Sequence, residues 1–121
     1  DAGAPVLDDA ALDSLRSLDP DGRLPDRLVD LFLSESASRV DQLREAAREG
    51  DTDRVRRLAH GFKGSAGYFG ASRLLTVCRD LEIHAPDASP AELAAAAEEV
   101  AGCLSEAEAA INAVRERERT A

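Results

Sequence analysis

Apolar residues recur along this chain at steps of three and four, the spacing that gathers them on one face of a helix. Ala11, Leu12, Leu15 and Leu18 predict a short first helix, capped by Asp8 and broken by Asp19-Pro20-Asp21-Gly22. Leu28, Phe32, Val40, Leu43 and Ala47 predict a longer one that begins near Pro25, a residue tolerated in a first turn, and stops at Gly50. Asp51 or Thr52 caps a third helix, with Val55, Leu58, Ala59, Phe62, Ala66 and Phe69 facing inward and Gly70 as its stop. The fourth runs from about Ala71 to His84 on the stripe Ala71, Leu74, Leu75, Cys78, Leu81 and Ala85. After a turn through Asp87-Ala88-Ser89-Pro90, Leu93, Ala97, Val100, Leu104, Ala107, Ile111 and Val114 carry the last helix from about Ala91 toward Arg117. This pattern predicts an all-α fold, an antiparallel up-down four-helix bundle with an additional short N-terminal helix over one end.

The third helix holds the candidate chemistry. At about 100° per residue, His60 points about 140° away from the centre of the apolar stripe and therefore into solvent. Arg56, Lys63, Gly64 and Gly67 fall within about 60° of it, so His60 stands on a basic ridge. An interior helical glycine costs about 0.8 to 1 kcal/mol relative to alanine, yet Gly61, Gly64 and Gly67 follow one another here. Gly64 and Gly67 lie on the side of His60 and remove every side chain that could fence the imidazole, so a large partner can approach. The alternative is a loop beginning after Ala59, but Phe62, Ala66 and Phe69 keep the helical period.

Glu82 falls about 40° from the centre of the fourth helix's stripe, at the edge of the buried seam, where a bare carboxylate would be costly. It needs a partner. Imidazole in free peptides titrates near about 6.5, so at neutral pH one ring nitrogen is a free nucleophile.

His60-Gly61-Phe62-Lys63-Gly64-Ser65-Ala66, then Phe69-Gly70-Ala71, Leu74, Cys78 and Leu81-Glu82, resembles the H-x-x-K-G-S-[SA]-x-x-x-G-A-x-x-L-x-x-x-C-x-x-L-E signature of histidine phosphotransfer domains. Val6-Leu7-Asp8 with Leu12 and Leu15 is similar to the family's opening, and Gly50-Asp51 to its entry into the histidine helix. The resemblance implies that His60 carries a phosphoryl group, accepted from and passed to aspartates of receiver domains, with a histidine kinase as a further donor. It implies that the carboxylate of Glu82 bonds one ring nitrogen, fixing the tautomer that leaves Nε2 free; pairing of Glu82 with Arg56 or another cation is the alternative. Lys63 balances phosphoryl charge on this reading, while Arg56, Arg57, Gly64, Gly67 and Tyr68 form the partner-docking face. For Tyr68 a helix-packing role stands beside the docking one, and Ser65 reads as a small packing residue whose hydroxyl bonds back into its helix or braces the Lys63 region.

The chain lacks G-x-x-x-x-G-K-[ST], G-x-G-x-x-G after a strand, and a clustered acidic set for Mg²⁺. The expectation is thus a phosphoryl carrier with no cofactor of its own and no kinase activity, the Mg²⁺ residing on the partner receiver. Two other readings share the exposed histidine: a helical adaptor that docks receivers without relaying phosphate, and the phosphorylatable N-terminal domain of a chemotaxis-type kinase.

A net charge of -9 over 121 residues opposes nucleic-acid binding. Around His60 the balance reverses, since Arg54, Arg56, Arg57 and Lys63 outnumber Asp51 and Asp53, so an acidic partner is drawn to this face. No apolar run approaches the roughly 20 residues a bilayer requires, which predicts a cytoplasmic domain, monomeric in isolation. Cys78 and Cys103 are too far apart for a C-x-x-C pattern and read as buried free thiols, with an inter-helix disulfide as the alternative. His84 reads as a surface residue at a helix end, and Arg115 to Arg119 as a solvated, fraying terminus. Residues 1–6 read as a linker end and 7–118 as the domain; the linker-like start favours a piece of a hybrid sensor kinase, with a free-standing domain as the alternative.

Overall fold

In the computed structural model, residues 4–120 are described and form five α-helices with no strand among them: α1 (Asp9–Arg16), α2 (Asp26–Glu49), α3 (Thr52–Phe69), α4 (Ser72–His84) and α5 (Pro90–Thr120). A single 3₁₀ turn, Ala85–Asp87, separates α4 from α5. Each boundary has a local cause. Asp8 accepts from the N–H of Ala10 at the start of α1, and Asp51 accepts from the N–H of Arg54 at the start of α3. Ser89 and Glu92 form a capping box before α5: the Ser89 hydroxyl accepts from the Glu92 N–H at 3.1 Å, and the Glu92 carboxylate from the Ser89 N–H at 2.8 Å. Gly50 and Gly70 end α2 and α3 in the left-handed conformation, at φ 67° and 63°.

α2 packs on α3 and α5, α3 on α4, and α4 on α5, so the four longer helices close a ring, with α1 against α3. The core at the centre of the ring is built from leucine, valine and alanine, with Phe62 fully buried and the Phe32 and Phe69 rings 4.8 Å apart between centroids. Alanines at positions 46, 47, 59, 66, 71, 97 and 107 are sealed between helices, letting backbones approach closely enough for so few aromatic side chains to fill the interior.

Three expectations need correction. Leu18 does not face inward: α1 ends at Arg16, two residues early, and Leu18 is 69% exposed. The carboxylate of Asp19 accepts from the N–H groups of Asp21 and Arg23, which organises a turn where the apolar spacing predicted another helical residue. Leu28 is likewise exposed, because Pro25 is the N-cap rather than a helical residue and Leu28 falls on the outer side of the opening turn.

The C-terminal end of α5 is not free. The carboxylate of Glu118 accepts from Arg16 Nε at 2.7 Å and from the Leu24 N–H at 2.9 Å, while Arg115 pairs with Asp30 at 2.8 Å and Asp26 at 3.6 Å. These bonds tie the end of α5 to α1 and to the entry of α2. At the other end of the chain, residues 1–3 of the expected linker lie outside the described residues. The carbonyls of Ala4 and Pro5 accept from Arg73 Nε and the Arg73 N–H, at 2.7 and 3.1 Å.

Gly70 turns α3 into α4 beneath α1, and a Cβ there would lie 2.7 Å from Asp8 Cβ, 2.8 Å from Ala11 Cβ and 2.9 Å from the Asp8 backbone nitrogen. Nothing lies within 4 Å of a Cβ at Gly50. Gly50→Ala should therefore cost about 1 to 2 kcal/mol for the left-handed backbone alone. Gly70→Ala should cost a further 1 to 3 kcal/mol or so for the clash with α1, read from urea midpoints at unchanged m-value.

Candidate functional site

α3 continues unbroken through Gly61, Gly64 and Gly67, so the loop alternative is not taken. Its inner face, Val55, Ala59, Phe62 and Ala66, is sealed from solvent. That register puts the His60 side chain outside, 74% exposed. α4 packs alongside and brings Glu82, only 23% exposed, up to the imidazole: His60 Nδ1 lies 3.1 Å from Glu82 Oε2 and 3.4 Å from Oε1. A carboxylate can only accept, so Nδ1 carries the proton and Nε2 keeps its lone pair. Lys63 Nζ reaches the same carboxylate at 3.3 Å. Both kinds of partner considered for Glu82 are thus engaged together, and the cation is Lys63 rather than Arg56.

Partial removal from water by itself raises the Glu82 carboxyl, but the hydrogen bonds and charges of Lys63 and His60 outweigh it and hold its pKa below the ordinary value. The group is a fixed anion at neutral pH, which is what orienting an imidazole requires.

Gly64 and Gly67 face open space, with nothing within 4 Å of a Cβ at either. On the N-terminal side of the ring, Arg56, Arg57, His60 and Glu82 line an open concavity of about 280 Å³. Arg56 leans on Asp53 at 3.7 Å. Tyr68 is 69% exposed and helps line a groove with Leu28, Leu31, Phe32, Ser65 and Phe69, as well as contributing to a second shallow hollow beside Leu18. Its phenol is at the surface, not a core element.

Sequence reasoning missed Arg39. From α2 its guanidinium donates to the Ser65 hydroxyl at 3.0 Å, pairs with Glu35 at 3.5 Å and lies 3.8 Å from where a Cβ of Gly61 would be. Ser65 thus bonds across to α2 rather than back into α3. No local pattern announces a bond between residues 26 apart. Cys78 is buried, and desolvation pushes its thiol up to about 12, whereas Cys103 is half-buried rather than sealed. Both are free thiols, and His84 is exposed at the end of α4. Among the described residues no group of three or more His, Cys, Asp and Glu is placed to hold a metal ion, and no helix is long and apolar enough to cross a membrane.

The chain belongs to the Hpt domain family, whose model matches residues 27–117; it is thus a histidine phosphotransfer domain, a phosphorelay carrier rather than a kinase. It is similar along nearly its whole length to histidine-containing phosphotransfer protein B (HptB) from Pseudomonas aeruginosa PAO1. That crystal structure superposes with a TM-score of 0.82 at 31% sequence identity, covering 95% of this chain and 98% of that one. No curated protein matches the chain.

The Glu82 cluster has a titration signature. Its folded-state pKa lies below the unfolded value of about 4.3, so the associated stability is fully present above that value and lost as pH falls through the folded pKa. In Lys63→Ala the Glu82 carboxyl should titrate nearer its ordinary value, seen by carbon NMR of the side-chain carboxyl. The variant should be less stable than wild type at neutral pH, with the difference closing in acid.

Proposed function

We propose that His60 is the phosphorylated residue and that the domain shuttles phosphoryl groups between aspartates of receiver domains. The observation that carries this reading is the bond from Nδ1 of an exposed imidazole to Glu82, which leaves the Nε2 lone pair directed away from the protein. In transfer, that lone pair attacks the phosphorus of a partner's aspartyl phosphate. The P–O bond to the aspartate breaks, the carboxylate leaves with the electron pair, and a P–N bond forms at Nε2. The imidazolium so formed keeps its proton on Nδ1, donated in a hydrogen bond to Glu82, whose anionic charge stabilises it. The reverse step returns the phosphoryl group to another aspartate. The receiver contributes the Mg²⁺ and most of the stabilisation of the metaphosphate-like transition state; this chain contributes a nucleophile, its orientation and a docking face.

Gly64 and Gly67 suit a broad, close partner, and Tyr68, Arg56 and Arg57 border the same approach. The closed ring of packed helices and the two-residue link of Gly50 and Asp51 between α2 and α3 support an up-down antiparallel arrangement with α1 over one end. On this reading the working unit is 7–118, a cytoplasmic monomer, free-standing or within a hybrid sensor kinase.

Incubation with a phosphorylated receiver should label the domain with acid-labile, alkali-stable phosphate, and His60→Gln should abolish the label. A histidine variant that remains labelled, or a wild-type chain that no receiver labels, overturns the reading; retained receiver binding without labelling would indicate an adaptor. Gly64 gives a second test with opposed signs. Gly64→Ala should raise stability by about 0.8 to 1 kcal/mol through helix propensity, whereas Gly64→Leu, folded equally well, should slow transfer by about tenfold or more by displacing the incoming phosphorus.

A further inference from the structure

The signature lysine is committed elsewhere. Lys63 Nζ sits 3.3 Å from Glu82, on the Nδ1 side of the ring. On the α3 wheel Lys63, three residues after His60, lies about 60° to one side of it, and Arg57, three residues before, lies about 60° to the other. Since Nδ1 turns toward Glu82 and Lys63, the opposite edge of the ring, with Nε2, turns toward the Arg57 side. Helical side chains also slope toward the N-terminus, so the imidazole leans over the turn that carries Arg56 and Arg57 rather than over Gly64.

A concavity lined by Arg56, Arg57, His60 and Glu82 opens beside the ring, and Arg57 forms the wall away from Lys63. Its volume of about 280 Å³, against roughly 30 Å³ per liquid water, has room for a phosphoryl group and its solvent. Arg56 is drawn toward Asp53. Arg57 is exposed and forms no ion pair or side-chain hydrogen bond among the described residues.

Resting on His60 as the phosphorylated residue, we infer that Arg57, not Lys63, is the cation that binds the phosphoryl group carried on Nε2. Arg57 is a phosphoryl-binding residue, its planar fork matched to two phosphoryl oxygens, and Lys63 is a positioning residue that holds Glu82 against Nδ1. The charged groups facing the phosphoryl group are then Arg57, Arg56, Asp53 and Lys63 from α3, and Glu82 from α4; Arg39 of α2 is held by Glu35 and Ser65 on the far side of Gly61.

The test uses the isolated chain in a His84→Gln background, labelled chemically with phosphoramidate. The Nε2 lone pair attacks phosphorus, the P–N bond of the reagent breaks and ammonia leaves with a proton, so no receiver is needed. Phosphorus NMR then follows the second ionisation of the phosphoryl group. Arg57→Gln should raise that pKa by about half a unit, the loss of one nearby, solvent-screened opposite charge. Arg57→Lys should stay near wild type, and Lys63→Gln should move it less than Arg57→Gln does. An unmoved titration in Arg57→Gln overturns the inference, and if receiver transfer nevertheless slows, Arg57 contacts the partner instead. A larger shift from Lys63→Gln than from Arg57→Gln also overturns it. The parent reading fails separately, when phosphoramidate labels His60 but no phosphorylated receiver does; no chemical label at His60 defeats both.

Discussion

With Val55, Ala59, Phe62 and Ala66 completely withdrawn from water, α3 cannot turn about its axis, and that constraint sets the direction of every functional side chain it carries. A rotation by one residue, about 100°, would lift Phe62 out of the core and drive a ring nitrogen inward. The first change alone forfeits about 1.5 to 3 kcal/mol of apolar burial, and the second adds an unpaired polar group. Exposure of His60 is therefore a consequence of core packing. The glycines along the outer face contribute nothing to that packing, which is why their presence points to something that must approach from outside.

Packing of α4 against α3 supplies the second half of the site. Leu74, Cys78 and Leu81 are buried along the same stripe that ends at Glu82, so the seam that stabilises the helix pair also delivers a carboxylate to the imidazole. The two functions are inseparable at this position: a carboxylate on the rim of an apolar seam is tolerable only with partners, and His60 and Lys63 are those partners. Held by two donors, Glu82 has little freedom to rotate, and the ring it faces inherits that order.

The third helix and its histidine were legible in the sequence because both follow from a periodic local pattern, with caps at Asp51 and Gly70 to mark its ends. Leu18 and Leu28 misled for a related reason. Each extends an apolar period past a point where a turn, organised by Asp19 or by Pro25, stops the helix from honouring it. The ties of Glu118 to Arg16 and Leu24, of Arg115 to Asp30 and of Arg39 to Ser65 join positions 26 to 102 residues apart. Charged residues at a chain end look like a solvated tail until the fold places their counterparts, so the anchored end of α5 was beyond any local reading. At the site itself the residue types were readable, but which cation meets Glu82 depends on the distance between two helices rather than on spacing within one.

That distinction changes how the local positive charge is to be understood. Counted along the sequence, four cations near His60 oppose two acidic residues. In three dimensions Arg54 leans on Glu45 and Glu49, Arg56 on Asp53 and Lys63 on Glu82, so most of the apparent excess is already paired. In a chain of net charge -9, long-range steering of an acidic partner is consequently weak and further screened by salt beyond about 8 to 10 Å. On the proposed function, specific encounter would then rest on the open shape at Gly64 and Gly67 and on apolar contact along the exposed side of Tyr68, with the remaining positive charge acting only at close range.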